Sequence, residues 1–293
     1  MSRSFALLAN PASAGGRALE ALPQVESELD RLGAQHRTVT TRSIEHATEE
    51  AAKAGAAGET VVALGGDGLL RPLATALRGS ESAVALVPCG RGNDLARVLG
   101  IPKDPAQAAR VAVQGPERLL DVAEVDGTPF LGIASLGFDS EANRIANEAR
   151  LIKGDAVYLY AAVRALLAWK PARFSVTVDG ERHEVIGFTV AVGNSRAYGG
   201  GMMLLPHAEL DDGKLDVLLV KRHSKLRFIG GMPKLFKGTH LPSPHAVLLR
   251  GEVVEVSSDR PFVVYADGDP IGATPATMRV RPRSLRVIVP APA

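Results

Sequence analysis

The chain has 293 residues but a single cysteine, Cys89, so no internal disulfide can form, which fits a reducing, cytoplasmic setting. It also has almost no net charge: 34 Lys and Arg against 32 Asp and Glu leave +2. A balance this even excludes a long polyanion as the main ligand, so no nucleic-acid partner is expected, while the slight basicity suits a phosphate or an anionic membrane surface. No run reaches the about 18 consecutive apolar residues of a spanning helix. The apolar stretch in "MSRSFALLANPASAGG" is too short for a signal-peptide core, so any membrane contact is expected to be peripheral. Tandem repeats and low-complexity segments are absent too, and the tail "VPAPA" is expected to fray.

The length exceeds the usual single core and predicts one large or two medium domains. Over the first hundred residues short apolar runs alternate with helix-like segments, the pattern of a parallel sheet with covering helices. "FALLAN", "HRTVTT", "TVVAL" and "AVALVP" are the strand candidates. Leu19, Leu22, Val25, Leu29 and Leu32 recur at helical spacing, with Gly33 as a stop signal and Pro23 as the mark of an irregular or late start. "IEHATEEAAKAG" is the next helix.

From about Leu119 the grammar changes to paired strand-like runs joined by Asp-Gly turns, as in "LLDVAEVDGTPFLGIASLG" and "FSVTVDGERHEVIGFTVAVGN". The chain is therefore read as α/β over residues 1–118, an open parallel sheet, followed over 119–293 by an antiparallel β-rich domain whose last strand returns to the first. Between the first two strand pairs, "DAVYLYAAVRALLAW" is read as a core helix rather than a lipid-contacting wall.

In an open parallel sheet ligands bind beyond the carboxyl ends of the strands. Four such loops stand out. "NPASAGG" offers the small residues Asn10, Pro11, Ala12, Ser13 and Ala14, which, proline aside, let backbone N–H groups approach an anion, and Asn10 can donate from its side chain. "TT" offers the hydroxyls of Thr40 and Thr41. In "GGDGLLR", Gly65, Gly66 and Gly68 permit positive φ and close backbone approach at the opening of a helix, a phosphate cradle. "PCGRGNDLAR" repeats the device with Gly90 and Gly92, with Asn93 and Asp94 positioned to cap a helix and Arg91 and Arg97 adding charge.

"GGDG" after a buried strand, followed two dozen residues later by "PCGRGNDLAR", resembles the diacylglycerol kinase catalytic domain of bacterial lipid kinases, which is related to sphingosine kinases. The likeness runs in order through "NPASAGG", "TTRSIEHA", "FLGIASLGFDSEA", "VGNSRAYGGGMMLLPHAELDDGKLDV" and "YADGDPI". It implies a nucleotide-binding α/β domain, a C-terminal β-sandwich, an ATP site in the cleft between them, and transfer of the γ-phosphoryl group to a lipid hydroxyl. The cofactors it implies are ATP and Mg, and the partner a lipid substrate at a membrane surface; a homodimer is left open.

The family draws its base from a D-G-E triplet, which here stands as Asp267-Gly268-Asp269, with either carboxylate open to the role of base or metal holder. Asp67 is the other candidate near the phosphates or the acceptor hydroxyl. In "AELDDGKLD" the resemblance implies a magnesium held by the Asp212 side chain and the carbonyls of Glu209 and Lys214; a plain type I′ Asp-Gly turn is the alternative.

Four departures from the family pattern stand in this site. Leu69 replaces a threonine, Arg71-Pro72 an Asn-Glu pair, Arg91 a threonine and Asp269 a glutamate. Proline is tolerated in a helix's first turn. Arg71 or Arg91 is expected to replace the lost hydroxyl contacts with charge-assisted bonds to phosphate. The competing readings are an NAD or other small-molecule kinase, and a nucleotide- or lipid-binding relative with impaired turnover.

Overall fold

The computed structural model describes residues 3–148 and 156–292. The chain begins as a series of parallel strands and helices: β1 (Phe5–Ala9), α1 (Arg17–Arg31), β2 (His36–Thr40), α2 (Ile44–Ala56), β3 (Thr60–Gly65), α3 (Leu70–Leu77), β4 (Ala83–Pro88), α4 (Asp94–Val98) and α5 (Pro105–Gln114). β1 and β3 are buried along their whole length, as expected of strands covered by helices on both faces.

The antiparallel part follows with β5 (Glu117–Val125), β6 (Thr128–Phe130), β7 (Ile133–Gly137), α6 (Phe138–Glu148), α7 (Ala156–Ala168), β8 (Ala172–Val178) and β9 (Glu181–Gly193). It continues through β10 (Leu215–Lys221), α8 (Lys225–Leu235), β11 (Ala246–Gly251), β12 (Val253–Ser258), β13 (Val263–Ala266), β14 (Asp269–Ala273) and β15 (Ala276–Ile288). In β8 the burial alternates residue by residue, the mark of one face on a core.

The two parts share hydrogen bonds through β15. It pairs antiparallel with β12 and β5 and, further on, parallel with β4 at Arg286↔Ala83 and Val287↔Val84. One core surrounds the parallel sheet, including Leu7, Leu29, Leu64 and Leu73. A second lies inside the antiparallel strands, and a third gathers Phe138, Trp169 and Phe188 under α6 and α7.

Three expectations need correction. α1 starts at Arg17, not after Pro23, and runs through the proline. Pro23 is exposed, so the carbonyl that loses its helical donor faces water. The buried stripe of α1 is Ala18, Ala21, Val25 and Leu29, while Leu19 is exposed. The apolar helix read from Asp155 onward, whose first residue lies outside the described residues, packs Ala161, Ala165 and Leu166 inward but leaves Val163 and Leu167 exposed. Its core reading holds for one face. Among the described residues no helix is long and apolar enough to cross a membrane.

Candidate functional site

Strand register aligns the loops. Ala9 pairs with Thr40 on one side and Leu64 on the other, and Gly65 pairs with Pro88, so the segments after β1, β2, β3 and β4 leave the same carboxyl edge. There the two glycine loops interlock. A Cβ on Gly66 would stand 2.8 Å from the Cα of Gly90, and one on Gly90 would press on the Cα of Gly66. The expected positive φ is not used: Gly66 has φ −107°, and Gly65 and Gly68 also lie outside the left-handed region. Close backbone approach is what these positions require, whereas Gly68 is open on all sides.

Helix capping differs as well. Asn93 sits in the left-handed region at φ 52° and makes no cap bond. Its side chain clamps the second loop, accepting from Gly90 N at 2.8 Å and donating to Gly90 O at 2.9 Å. Asp67 caps α4 from the neighbouring loop, its Oδ1 accepting from Asp94 N at 3.0 Å. Asp94, freed from capping, reaches across the cleft, where its Oδ2 accepts from Gly200 N at 2.9 Å. Its Oδ1 is buried without a hydrogen bond, with the Arg97 guanidinium 3.9 Å away.

The first loop turns on itself. Asn10 Oδ1 accepts from Ala12 N at 3.0 Å, Pro11 occupies the turn between them, and Ser13 donates its hydroxyl to Cys89 O at 3.3 Å. Ala14 takes a left-handed conformation. Thr40 stays exposed at the end of β2, and the Thr41 hydroxyl donates to Ala9 O. Leu69 is buried and folds back over Gly65, so it contributes packing where a threonine would contribute a hydroxyl.

The C-terminal part brings its own carboxylates to this edge. Asp267-Gly268 forms a turn with both residues at positive φ between β13 and β14, the same turn that Asp126-Gly127 and Asp179-Gly180 make elsewhere. In all three the aspartate carboxylate accepts backbone N–H groups of a neighbouring segment: Thr277 for Asp126, Glu252 and Val253 for Asp179, Leu131 and Gly132 for Asp267. Gly132 must be glycine, because a Cβ there would collide with Asp267.

Burial is what sets Asp267 apart. Burial first, then the nearby negative charge of Asp67, push its carboxyl up to about 7 against the two N–H bonds that lower it. Burial and Asp94 push Asp67 up to about 6. Asp269, at the far end of the turn, lies 3.5 Å from the Arg71 guanidinium, the pair being 45% and 20% exposed. Two of the departures from the family pattern therefore face each other across the cleft. The expectation of a phosphate contact survives without an internal competitor only for Arg91, which is exposed and makes no ion pair among the described residues.

In the "AELDDGKLD" loop the Asp212 side chain already engages protein groups, while Asp212 Oδ2 and Asp216 Oδ2 are buried without a hydrogen bond. The Asp212 carboxylate is met by the Arg250 guanidinium, its Oδ1 accepts from Lys214 N at 2.9 Å, and Glu209 is exposed. Only Gly213 has positive φ, so the turn is not type I′. Asp121 fixes it, accepting from Gly213 N and Arg283 N at 2.7 Å each.

Asp121, Asn194, Asp139 and Tyr198 escaped sequence reasoning. Asn194 donates to Asp121 O at 2.9 Å, tying β5 to the loop after β9. Asp139 opens α6 and accepts from Tyr198; burial pushes its carboxyl up to about 7. Asp121 could have been noticed as one of two acids, with Glu124, within the otherwise apolar run "LLDVAEV".

Two cavities flank this edge. One of about 620 Å³ opens along the second glycine loop and is lined by Arg17, Cys89, Gly90, Arg91, Asn93 and Arg97. The other, about 460 Å³, lies between α6, the end of α7 and β13, with Trp169, Phe262 and Tyr265 in its wall and Lys170 and Arg260 on its rim.

Comparison with known proteins matches the chain in two segments. Residues 4–125 match the family described as diacylglycerol kinase catalytic domain, and residues 132–289 match the YegS C-terminal NAD kinase beta sandwich-like domain. A diacylglycerol kinase of Mycobacterium tuberculosis is 32% identical over 97% of this chain and 94% of its own length. The Pseudomonas aeruginosa protein described as "Probable lipid kinase YegS-like" is 33% identical over 95% of this chain and 91% of its own. The crystal structure of a diacylglycerol kinase from Bacillus anthracis shares the fold, with a TM-score of 0.76 at 20% identity, covering 98% of this chain and 97% of that one. With both segments matched by family models and relatives of 32% and 33% identity spanning 97% and 95% of it, the chain belongs to the diacylglycerol kinase catalytic-domain family of lipid kinases and is a phosphotransferase.

Proposed function

We propose that the protein is an ATP- and magnesium-dependent kinase that phosphorylates the hydroxyl of diacylglycerol or a similar long-chain lipid alcohol. The observation that carries this reading is the meeting, in one cleft, of two interlocked glycine loops with the carboxylates of Asp67, Asp267 and Asp269. Phosphoryl transfer depends on positioning and charge neutralisation, and the site supplies both.

The phosphates lie over the carboxyl edge, where Gly66, Gly68 and Gly90 keep the backbone free of side chains and Arg91 adds charge. Magnesium, when bound, neutralises charge on the transferring phosphoryl group. Asp94, whose buried Oδ1 has no hydrogen bond and only the Arg97 guanidinium 3.9 Å away, and Asp67 suit it, since this ion takes one or two carboxylates beside phosphate oxygens. Asp267 is the positioning residue: its two N–H bonds hold the turn that presents Asp269. Asp269 accepts the hydroxyl proton as the acceptor oxygen bonds to the γ-phosphorus and ADP departs. The acceptor's chain occupies the cavity beside Trp169, Phe262 and Tyr265.

The test is incubation with labelled ATP, magnesium and separate lipid, NAD and sugar acceptors. Label in the organic phase is expected. Label in an aqueous product, or none with intact nucleotide binding, refutes the reading.

A further inference from the structure

Helix α8 carries no buried residue. Leu226 is 84% exposed and Phe236, just beyond the helix, 58%, with Ile229 also exposed. The helix is nevertheless held from below, because Phe228 stacks on Phe188 with ring centroids 4.6 Å apart and meets Phe138 edge-on at 4.8 Å. Beside it, Lys225 Nζ donates to Leu167 O at 2.9 Å, which brings the end of α7 against the start of α8. Leu167 is 76% exposed. Two helices thus rest on one aromatic cluster and turn leucines outward.

The two chain segments that carry these side chains hold charge of one sign. No Asp or Glu occurs between Asp216 and Glu252, a stretch with seven Lys and Arg, nor between Asp155 and Asp179, where Arg164, Lys170 and Arg173 stand. Lys221, Arg222, Lys234 and Lys237 make no ion pair among the described residues. Protruding apolar side chains on segments whose own charges are all cationic are the pattern of a helix lying in the interfacial zone of an anionic bilayer, the leucines entering the acyl boundary and the cations meeting headgroup phosphates.

We infer that α8 and the end of α7 form the face by which the protein docks on an anionic lipid bilayer. A second copy of the chain suits this face poorly, because a two-fold contact would set the same cations against each other. The inference is independent of phosphoryl transfer, since it rests on a surface outside the carboxylate cleft.

Flotation of the full chain, without nucleotide, with phosphatidylcholine vesicles and with equal mixtures of phosphatidylcholine and phosphatidylglycerol tests it. Binding to the mixed vesicles is expected, little to phosphatidylcholine alone, with affinity falling as salt rises. Leu226→Glu should weaken binding about tenfold by removing an inserted side chain, and Lys234→Gln about fivefold by removing one surface charge. Leu226 and Lys234 lie on no packed face, so both variants should melt with the parent; Phe236→Glu serves as a third if either does not. Absence of binding, equal binding to both vesicles, or binding unchanged in these variants overturns the inference. So does a dimer in sedimentation velocity that Leu226→Glu dissociates, which would assign the face to a second copy.

Discussion

The contact between Arg71 and Asp269 joins two residues that each depart from the family pattern, and it predicts that they act as one unit. At 3.5 Å and an effective dielectric constant of about 20, the bare attraction is about 5 kcal/mol. Asp269 is close to half exposed, so solvent screening and side-chain entropy reduce the net value to about 1 kcal/mol. Breaking the pair should lower the melting temperature by only about 2–4 °C. The catalytic consequence is larger. Asp269→Glu extends the carboxylate by about 1.5 Å into the guanidinium, and a misplacement near 1 Å costs about 100-fold in rate. Arg71→Asn alone releases Asp269 from its tether and should lower kcat/KM about tenfold with KM for ATP unchanged. In the double variant the longer carboxylate occupies the space the guanidinium leaves, and activity should return to within about fivefold of the parent, a coupling of about 3 kcal/mol. The assay is steady-state transfer of labelled phosphate to diacylglycerol for all four proteins. Additivity within about 0.5 kcal/mol, or a rise in KM for ATP in Arg71→Asn alone, would show that Arg71 serves the nucleotide and not the carboxylate.

Two further outcomes follow from the site. Gly90→Ala forces the two glycine loops apart and should cost about 1–3 kcal/mol of stability together with most nucleotide affinity, whereas Gly68→Ala, with open space around it, should melt with the parent; equal effects in calorimetry would refute the interlock. Asp67 and Asp267 have folded values of about 6 and 7 against an ordinary 3.8, so their contribution to stability is fully present below pH 3.8 and is lost as pH rises through 6 and 7. Asp67→Asn should therefore lose less melting temperature than the parent between pH 5 and 8, and parallel slopes would contradict the burial of that carboxylate.

The fold was legible in the sequence because burial on both faces leaves continuous apolar runs, as in "FALLA", and because Asp-Gly turns mark hairpins by backbone conformation alone. The glycine loops were legible as sites of close backbone approach but not in their geometry. The reason Gly66 and Gly90 lack side chains is each other, and no local rule reveals a contact between two loops. The same holds for Asp67, which caps a helix that begins beyond the next strand, and for the Asp121 and Asp139 carboxylates, whose partners lie in the other half of the chain. Pro23 misled for a related reason: a proline ends a helix unless the orphaned carbonyl faces water, and exposure is a tertiary property.

The strand β15 ties the time course of folding to the order of synthesis. Until residues 276–288 leave the ribosome, β4 has an unpaired edge and β5 and β12 lack the partner between them. A truncated N-terminal half is thus a sheet with an open border, prone to pair with another chain. The glycine loops, made early in synthesis, sit on a platform that becomes rigid only when the distant strand closes it, so nucleotide affinity should emerge late, and with both halves at once.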